Sequence, residues 1–572
     1  MTRYIITDTQ SGHKTLLIKT ENREVRLHSA YDPVKEAERS VSGFNKGRAS
    51  IIVVSGLGLA YHVQCLREKY PGTFIVAVEH DPEIAALAAK THPEFLQGVA
   101  VITTQGDIER IFEVEDLAQF RGVAHYIHRP SFALHKDFYN AEFIEINRFF
   151  TSKISDLLTR FEFEQSWMSN ILRNVHHVFT SGRVIDLFGR FRGYPGIIVS
   201  AGPSLRKNVD MLDSLYEKAL IVCVDTAIKV LDRKKIRSHI VMTLDAQKHS
   251  LRHFLGLRGP LPTLLADLVS YPAIARSYAH EIIFSTTSKY YTDRQGKTQR
   301  ETTPLVDWLE NYIPPIGDIQ SGGSVATSAF DLLLNLGCDP IILMGQDLAY
   351  TGREIHCSGT HHNDEWTGLY SRFVNLDTIN QRVVRKRKIK RVESYGGGKV
   401  ISDFVFDLYK GWFEDSSLKV PVQVINATEG GARIANTVEE SLSSLAKRLT
   451  VKKKTPDQIL AEVLNHRTCS DPAVLISGIR GAIDSINTIH EKAESALKNH
   501  GGGRSMEAAD LIEQQGLVSV FNPFLKKSHI YIARHDLDPE KGKELILKDI
   551  KSACMRLLPL FNGCLKNMES RS

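Results

Sequence analysis

Twice in this chain an apolar run breaks into a glycine turn and gives way to helical spacing: IIVVSGLGL at residues 51–59 and GIIVSAGPSL at 196–205. A strand with no polar face must be covered on both sides, which is the environment of a parallel sheet. After the first turn come the helical AYHVQCLREKY, the strand FIVAVEHD, the helix PEIAALAAKTH and the strand VAVITTQGD. After the second, the strands are ALIVCVDTAI, HIVMTLDAQ, TLLADLV, EIIFST, PIILMGQDLAY and VPVQVINATEGG, with NVDMLDSLYEKA, VLDRKKI and VATSAFDLLLNLG as helices. This alternation predicts an α/β fold: a Rossmann-like unit followed by a larger doubly wound domain.

The boundaries follow the changes of pattern. A β-rich lead-in spans 1–48, the Rossmann-like unit 49–135 and a helical connector 136–192. A central α/β domain spans 193–438, with an insertion at 364–399, and an all-helical domain spans 439–572. The tail takes its class from apolar residues at i, i+3, i+4 and i+7 in PDQILAEVLNHRT, AVLISGIRGAIDSINTIHEKAESALK and KELILKDIKSACMRLLPLF, broken by NHGGG at 499–503. Only HIYIAR there could read as a strand.

Composition narrows the function. With 42% hydrophobic and 24% charged residues over 572, the chain is not a disordered one. Its net charge of +6, from 72 basic and 66 acidic residues, is spread along the length, whereas nucleic-acid binding favours a concentrated basic face. Seven scattered cysteines without a CxxC pair argue against a disulfide framework or a zinc ribbon and fit a reducing compartment. The start, MTRYIITDTQSGHKTLLIK, lacks the apolar core of a leader, and no stretch approaches the ~20 apolar residues of a membrane span. The expectation is a soluble, cytoplasmic protein.

The glycine turns are the candidate sites. In SGLGL, Gly56 and Gly58 permit close backbone approach, and Glu79 ends the next strand where an acid commonly holds a ribose. Tyr61 stands where the dinucleotide fingerprint needs Gly or Ala. A scaffold without a cofactor therefore fits better than a dinucleotide or S-adenosylmethionine site. In VSAGPSL, the residues Ser200, Gly202, Pro203 and Ser204 offer amides and hydroxyls to a phosphate or ribose. Asp225 in VCVDTA and Asp245 in TLDAQ end the following strands, and such strand ends border one crevice. QSGGSV adds Ser321, Gly322, Gly323 and Ser324 before a helix, and MGQDLAYTGREIH adds Gln346, Asp347, Tyr350 and His356. Each alone could be a structural cap; together they imply a nucleotide-linked donor with chemistry beside it. Within the insertion, QRVVRKRKIKR carries seven basic residues. It reads either as a solvated helix face or as a mobile lid meeting an anionic donor or an acidic acceptor, hinged at SYGGGK.

In this order, VSAGPSL, VCVDTAI, TLDAQ, QSGGSVATSAFDLLLNLGCDPIILMGQDLAYTGREIHCSGTHH and INATEGGARI resemble the central domain of motility accessory factor (Maf) proteins. The resemblance covers roughly 190–440 and extends more loosely to GLGLAYH. Maf proteins are bacterial flagellin glycosyltransferases that attach nonulosonic acids, such as pseudaminic or legionaminic acid, to Ser or Thr. The turns are also similar to those of bacterial sialyltransferases using CMP-sialic acid. The resemblance implies a CMP-activated donor held by both turns and Asp225, inverting transfer to flagellin in flagellar assembly and motility, and no tightly bound cofactor. Asp245 stands alone in TLDAQ, and the only D-x-D triplet, at 536–538, lies in the helical tail, so no obligatory metal is expected.

In such a transfer His356 is the candidate base, with His361 and His362 as substitutes, because an unperturbed imidazole titrates near pH ~6.5. Asp347 would orient it or hold the ribose, Tyr312 would donate to phosphate, and the helical tail would take the flagellin acceptor. Two other readings stand beside this one: a phosphotransferase resembling pterin pyrophosphokinases, which use ATP and Mg²⁺, and a non-enzymatic flagellin-binding adaptor. These motifs set neither the identity of the sugar nor the oligomeric state.

Overall fold

An antiparallel meander, β1 (Arg3–Asp8), β2 (Lys14–Lys19) and β3 (Glu24–Arg26), opens the chain. The structure, a computed structural model, describes residues 3–19, 24–103, 120–292, 297–466, 471–498, 505–535 and 538–570. After the helix Pro33–Ser42 comes a parallel sheet of β4 (Ile51–Ser55), β5 (Phe74–Val78), β6 (Ala100–Ile102) and β7 (Val123–Ile127), in the order β6-β5-β4-β7. All five residues of β4 are buried, as an unbroken apolar strand requires. The strand order reverses between β4 and β7, which makes their carboxyl ends the switch point of this sheet. The helix Lys136–Asn174 follows.

The larger sheet has eleven strands. Its members are β8 (Gly182–Arg183), β9 (Gly196–Val199), β10 (Leu220–Val224), β11 (Ile240–Thr243), β12 (Thr263–Asp267), β13 (Ile282–Thr292), β14 (Thr298–Thr302), β15 (Asp318–Ile319) and β16 (Ile341–Met344), then β19 (Val424–Asn426) and β20 (Val438–Glu439). A separate antiparallel hairpin, β17 (Ile389–Glu393) and β18 (Lys399–Asp403), lies between them in sequence. The main path runs β14-β13-β12-β11-β10-β9-β16-β19-β20. Strands β9 to β13 advance in one direction and β16 and β19 in the other, so the second switch point lies between β9 and β16. Their parallel register pairs Ile341 with Gly196 and Met344 with Val199. This brings the turn after Val199 beside the one after Met344.

The compact units differ from the five predicted segments. One comprises Met1–Leu158, Tyr291–Gln299 and Ile530–Asp536; the other Thr159–Tyr290, Arg300–His529 and Leu537–Ser572. The lead-in belongs with the Rossmann-like sheet because Leu16, Ile18 and Leu27 share a cluster with Leu59, Tyr61 and Ile84. Apart from 530–536, the helices after 439 belong with the large sheet, whose core continues into them. Phe561 meets Trp308 edge to face at 5.5 Å, and helix Ala473–Lys498 buries Leu475, Ile479, Ala482, Ile486 and Ile489 on one face.

Two predicted elements change type. HIYIAR is the end of helix Val518–His535. NVDMLDSLYEKA opens in a 3-10 segment, Val209–Leu215, rather than an α-helix, and another 3-10 segment, Pro203–Lys207, precedes it. Asn208 separates them with φ −134 and ψ 2. Its side-chain amide is drawn to the Ala427 carbonyl and the Glu429 carboxylate, both at 3.0 Å. NHGGG and Asp536 lie outside the described residues. Among the described residues no helix is long and apolar enough to cross a membrane.

Candidate functional site

At the switch point of the large sheet, the turn after β9 meets the strand end of β16. The Ser200 hydroxyl donates to Gln346 Oε1 at 2.5 Å. Asp347 is 2% exposed; it accepts the Ser204 hydroxyl at 2.5 Å, the Ser204 amide at 3.2 Å and the Thr351 hydroxyl at 2.5 Å. A side chain on Gly202 would collide with the Asp347 carboxylate and the Gly345 carbonyl, so this glycine answers a close approach from within the chain. Asp347 therefore holds the turn, and its hydrogen bonds go to Ser204 and Thr351 rather than to a histidine. Burial raises its carboxyl pKa, against the hydroxyls and the Lys207 charge.

Beside this turn the acids and histidines converge. The Cys357 amide donates to the Ala201 carbonyl at 2.8 Å and ties the histidine loop to the first turn. His356 stacks on His362 with ring centres 5.0 Å apart. His253 approaches His361 at 5.6 Å and His362 at 5.5 Å, edge-on to both. Burial and mutual repulsion push His356 down to about 3 and His253 to about 4. Burial, the Lys229 charge and the neighbouring imidazoles bring His361 to about 4. Asp225, buried at the start of helix Asp225–Lys234, accepts the Thr243 hydroxyl at 2.8 Å and the Thr226 amide at 2.7 Å. Burial raises its pKa, and the field of His362 opposes that rise. Asp245 accepts the Gln247 amide at 2.9 Å and lies 3.2 Å from His249 Nε2. Two buried ring nitrogens, His253 Nδ1 and His361 Nε2, have no hydrogen-bond partner among the described residues. His253 was not singled out from sequence; its signal was the i, i+4 spacing from His249 in KHSLRH, just after TLDAQ.

The second glycine turn is closed upon itself. The Gly322 and Ser324 amides donate to Thr327 Oγ1 at 3.0 and 3.2 Å, and the Gly323 amide to Ser321 Oγ at 3.2 Å. Ser324 and Thr327 form a reciprocal capping box on helix Val325–Leu336. Trp412 backs Gly322, and Tyr409 backs Gly323. The amides expected to hold phosphate are thus engaged within the turn. Tyr312 is corrected as well. Its ring packs on Trp308 at 4.8 Å and against Gly478, lining a cavity of about 600 Å³ beside helix Ala473–Lys498.

The basic tract is split between the end of helix Leu376–Arg385 and β17, and all seven of its cations are exposed. The hairpin is anchored at its turn, SYGGGK, where the Tyr395 amide donates to the Gly431 carbonyl at 3.0 Å, and along β18, where the Tyr350 amide donates to the Ile401 carbonyl at 2.8 Å.

The first unit repeats the closed turn. Glu79 accepts the Leu57 amide at 2.7 Å, the Asp81 amide at 3.3 Å and the Tyr139 hydroxyl at 2.9 Å. His28 Nε2 accepts the Leu59 amide at 2.7 Å. The donors that would cradle a pyrophosphate are occupied by the chain's own side chains. Tyr61, the residue that breaks the fingerprint, pins β2 by accepting from the Lys14 amide at 3.1 Å and donating to its carbonyl at 2.8 Å.

Residues 169–353 match the family profile described as 6-hydroxymethylpterin diphosphokinase MptE-like. An uncharacterized protein of Treponema pallidum (strain Nichols) is 26% identical over 125 residues, which is 22% of this chain and 32% of that protein. The chain thus matches about a third of that relative's length. The structure of a Maf glycosyltransferase from Magnetospirillum magneticum AMB-1 aligns with a TM-score of 0.51 over 99% of this chain and 92% of that one. The identity is 14%, so the likeness is one of fold.

Proposed function

We propose that this protein is a glycosyltransferase that moves a nonulosonic acid from a CMP-activated donor to Ser or Thr hydroxyls of flagellin. The observation that carries the reading is the convergence of His356, His362 and Asp225 on the rim beside the turn at 200–204, within a fold that follows a Maf glycosyltransferase over 99% of the chain. The hydroxyl oxygen attacks the anomeric carbon, the bond from that carbon to the CMP phosphate breaks, and the anomeric centre inverts. The proton passes to a neutral imidazole, for which His356 is the first choice. Burial keeps that ring neutral before the donor arrives, and the donor's phosphate and carboxylate raise its basicity on binding. Because the amides of both glycine turns are engaged internally, His253 Nδ1, which has no hydrogen-bond partner among the described residues, is the better candidate to meet those anions, whereas His361 Nε2 faces the Glu365 carboxylate at 3.7 Å.

Transfer is expected in the cytoplasm, with no tightly bound cofactor and no obligatory metal. The test incubates the full chain with CMP-pseudaminic acid or CMP-legionaminic acid and unmodified flagellin, with and without a chelator. Release of CMP with a sugar-sized gain in flagellin mass supports the reading. Flagellin binding without release of CMP favours an adaptor. The match to the diphosphokinase profile favours a second reading, which predicts release of AMP from ATP with 6-hydroxymethylpterin instead.

A further inference from the structure

The first unit has a groove of about 1160 Å³ that the transfer reaction does not use. It is lined by 125–130 at the end of β7, by His28 and His62, and by helix Pro33–Ser42. It thus borders the switch point between β4 and β7, where an open parallel sheet takes ligands, while the glycine turn beside it is filled by Glu79 and His28. We propose that this groove is a second ligand site, for a planar heterocycle carrying an anionic group, of the mononucleotide class.

The imidazoles that line it have fixed tautomers. The Leu59 amide donates to His28 Nε2, so the proton of that ring sits on Nδ1. His62 Nε2 donates to the Gly56 carbonyl at 3.0 Å, which leaves Nδ1 as an acceptor. Neither Nδ1 has a partner among the described residues, although the two side chains are 4% and 2% exposed. Burial holds both rings neutral near pH 7. One free donor and one free acceptor, with ring centres 6.3 Å apart, match the mixed donor and acceptor edge of a nucleobase. His62 also stacks on Tyr126 at 5.4 Å and on His128 at 4.4 Å, so the wall is aromatic as well as polar.

The charges in the groove fit an anion. Its acids are engaged: Asp32 caps helix Pro33–Ser42 and pairs with Lys35 at 3.5 Å, and Glu36 accepts the Ser29 amide at 2.7 Å. Arg39 and Arg129 are exposed and form no ion pair among the described residues. They are placed to meet a phosphate while the base lies against the imidazoles.

The test titrates the full chain with AMP and with GMP by calorimetry. At least one should bind saturably at one site per chain, and Arg39→Glu and His62→Leu should each weaken it by about tenfold or more. Asp225→Asn, in the other unit, should leave that affinity unchanged. Arg129→Glu, an exposed change, replaces His62→Leu if the leucine variant fails to fold. Absence of binding by both nucleotides at millimolar concentration overturns the proposal. So does binding that survives the changes in the groove, or that is lost with Asp225→Asn.

Discussion

Asp347 and Ser204 lie 143 residues apart in sequence, yet the carboxylate of the first accepts both the amide and the hydroxyl of the second. The sheet makes this possible, because β9 and β16 are neighbours at the reversal of strand order. The first unit has the same device, with Glu79 seated on the amide of Leu57. In both, a turn whose glycines suggest a phosphate cradle is held by a carboxylate of the chain, as a phosphate would hold it.

Asp347→Asn should therefore act first on stability. The amide keeps the shape but replaces one of the two acceptor oxygens with a donor, so the Ser204 amide, the Ser204 hydroxyl and the Thr351 hydroxyl can no longer share a charged carboxylate, at a cost of about 1–3 kcal/mol. Gly202→Ala should cost a similar ~1–3 kcal/mol by overpacking, since its new carbon would meet Asp347 and the backbone of Gly345. Urea unfolding of both variants checks this, and a wild-type midpoint in either would contradict the plugged turn.

The turns and strands were legible because IIVVS and GIIV admit no solvent-facing side, and the acids at 225, 245 and 347 fall at strand ends by spacing alone. What fills the turns was not, since Glu79 and Asp347 reach them through sheet neighbours that no local pattern encodes. The same holds for Tyr312, which sits near the second turn in sequence but packs on Gly478. Asn208, the first residue of the helix expected over 208–219, is held instead by bonds to residues more than 200 positions away. The three histidines of the REIHCSGTHH stretch were visible in sequence; their partner His253 was hidden because its approach depends on the fold.

The helical tail is part of the core, so a chain ending at Val438 should not fold. Removing 439–572 strips Phe561 from Trp308 and uncovers the sheet side of a continuous cluster. Acceptor binding is better probed in the whole chain. Phe561→Ala alone should cost about 3–5 kcal/mol, the usual range for a buried phenylalanine, and should lower the thermal midpoint measurably.

Acid should destabilise the protein below the ordinary histidine pKa. Burial depresses His62 and His125 to about 4 and His239 to about 3. The unfolded chain takes up these protons near pH ~6.5, so the stability from each neutral ring is present above that value and lost as pH falls toward the folded pKa. Each contributes a slope of up to ~1.4 kcal/mol per pH unit. Asp267 and Asp331, raised to about 6 by burial, act the other way, since their protonated forms favour the fold at acid pH. The buried histidines outnumber them, so urea stability should fall from pH 7 to pH 5. His62→Gln should flatten that slope, and an unchanged slope would show that the ring is not held neutral in the folded state.

The reaction's pH dependence should reveal the base. With His356 at about 3 in the free protein, the acid limb of kcat/KM should lie well below the ordinary histidine range, because that ratio reports the free enzyme. The limb of kcat should lie higher, because the bound donor's negative charges favour the imidazolium in the complex. His356→Ala should lower kcat by roughly 10²–10⁴-fold while leaving CMP affinity near wild type, the usual loss for a general base. Transfer at a normal rate in that variant would move the role to His362, which stacks on His356 at 5.0 Å and lies in the field of Asp225. Asp347 is not the substitute, because Ser204 and Thr351 already take its lone pairs. A double variant of His356 and His362 with undiminished transfer would take the base out of this cluster altogether.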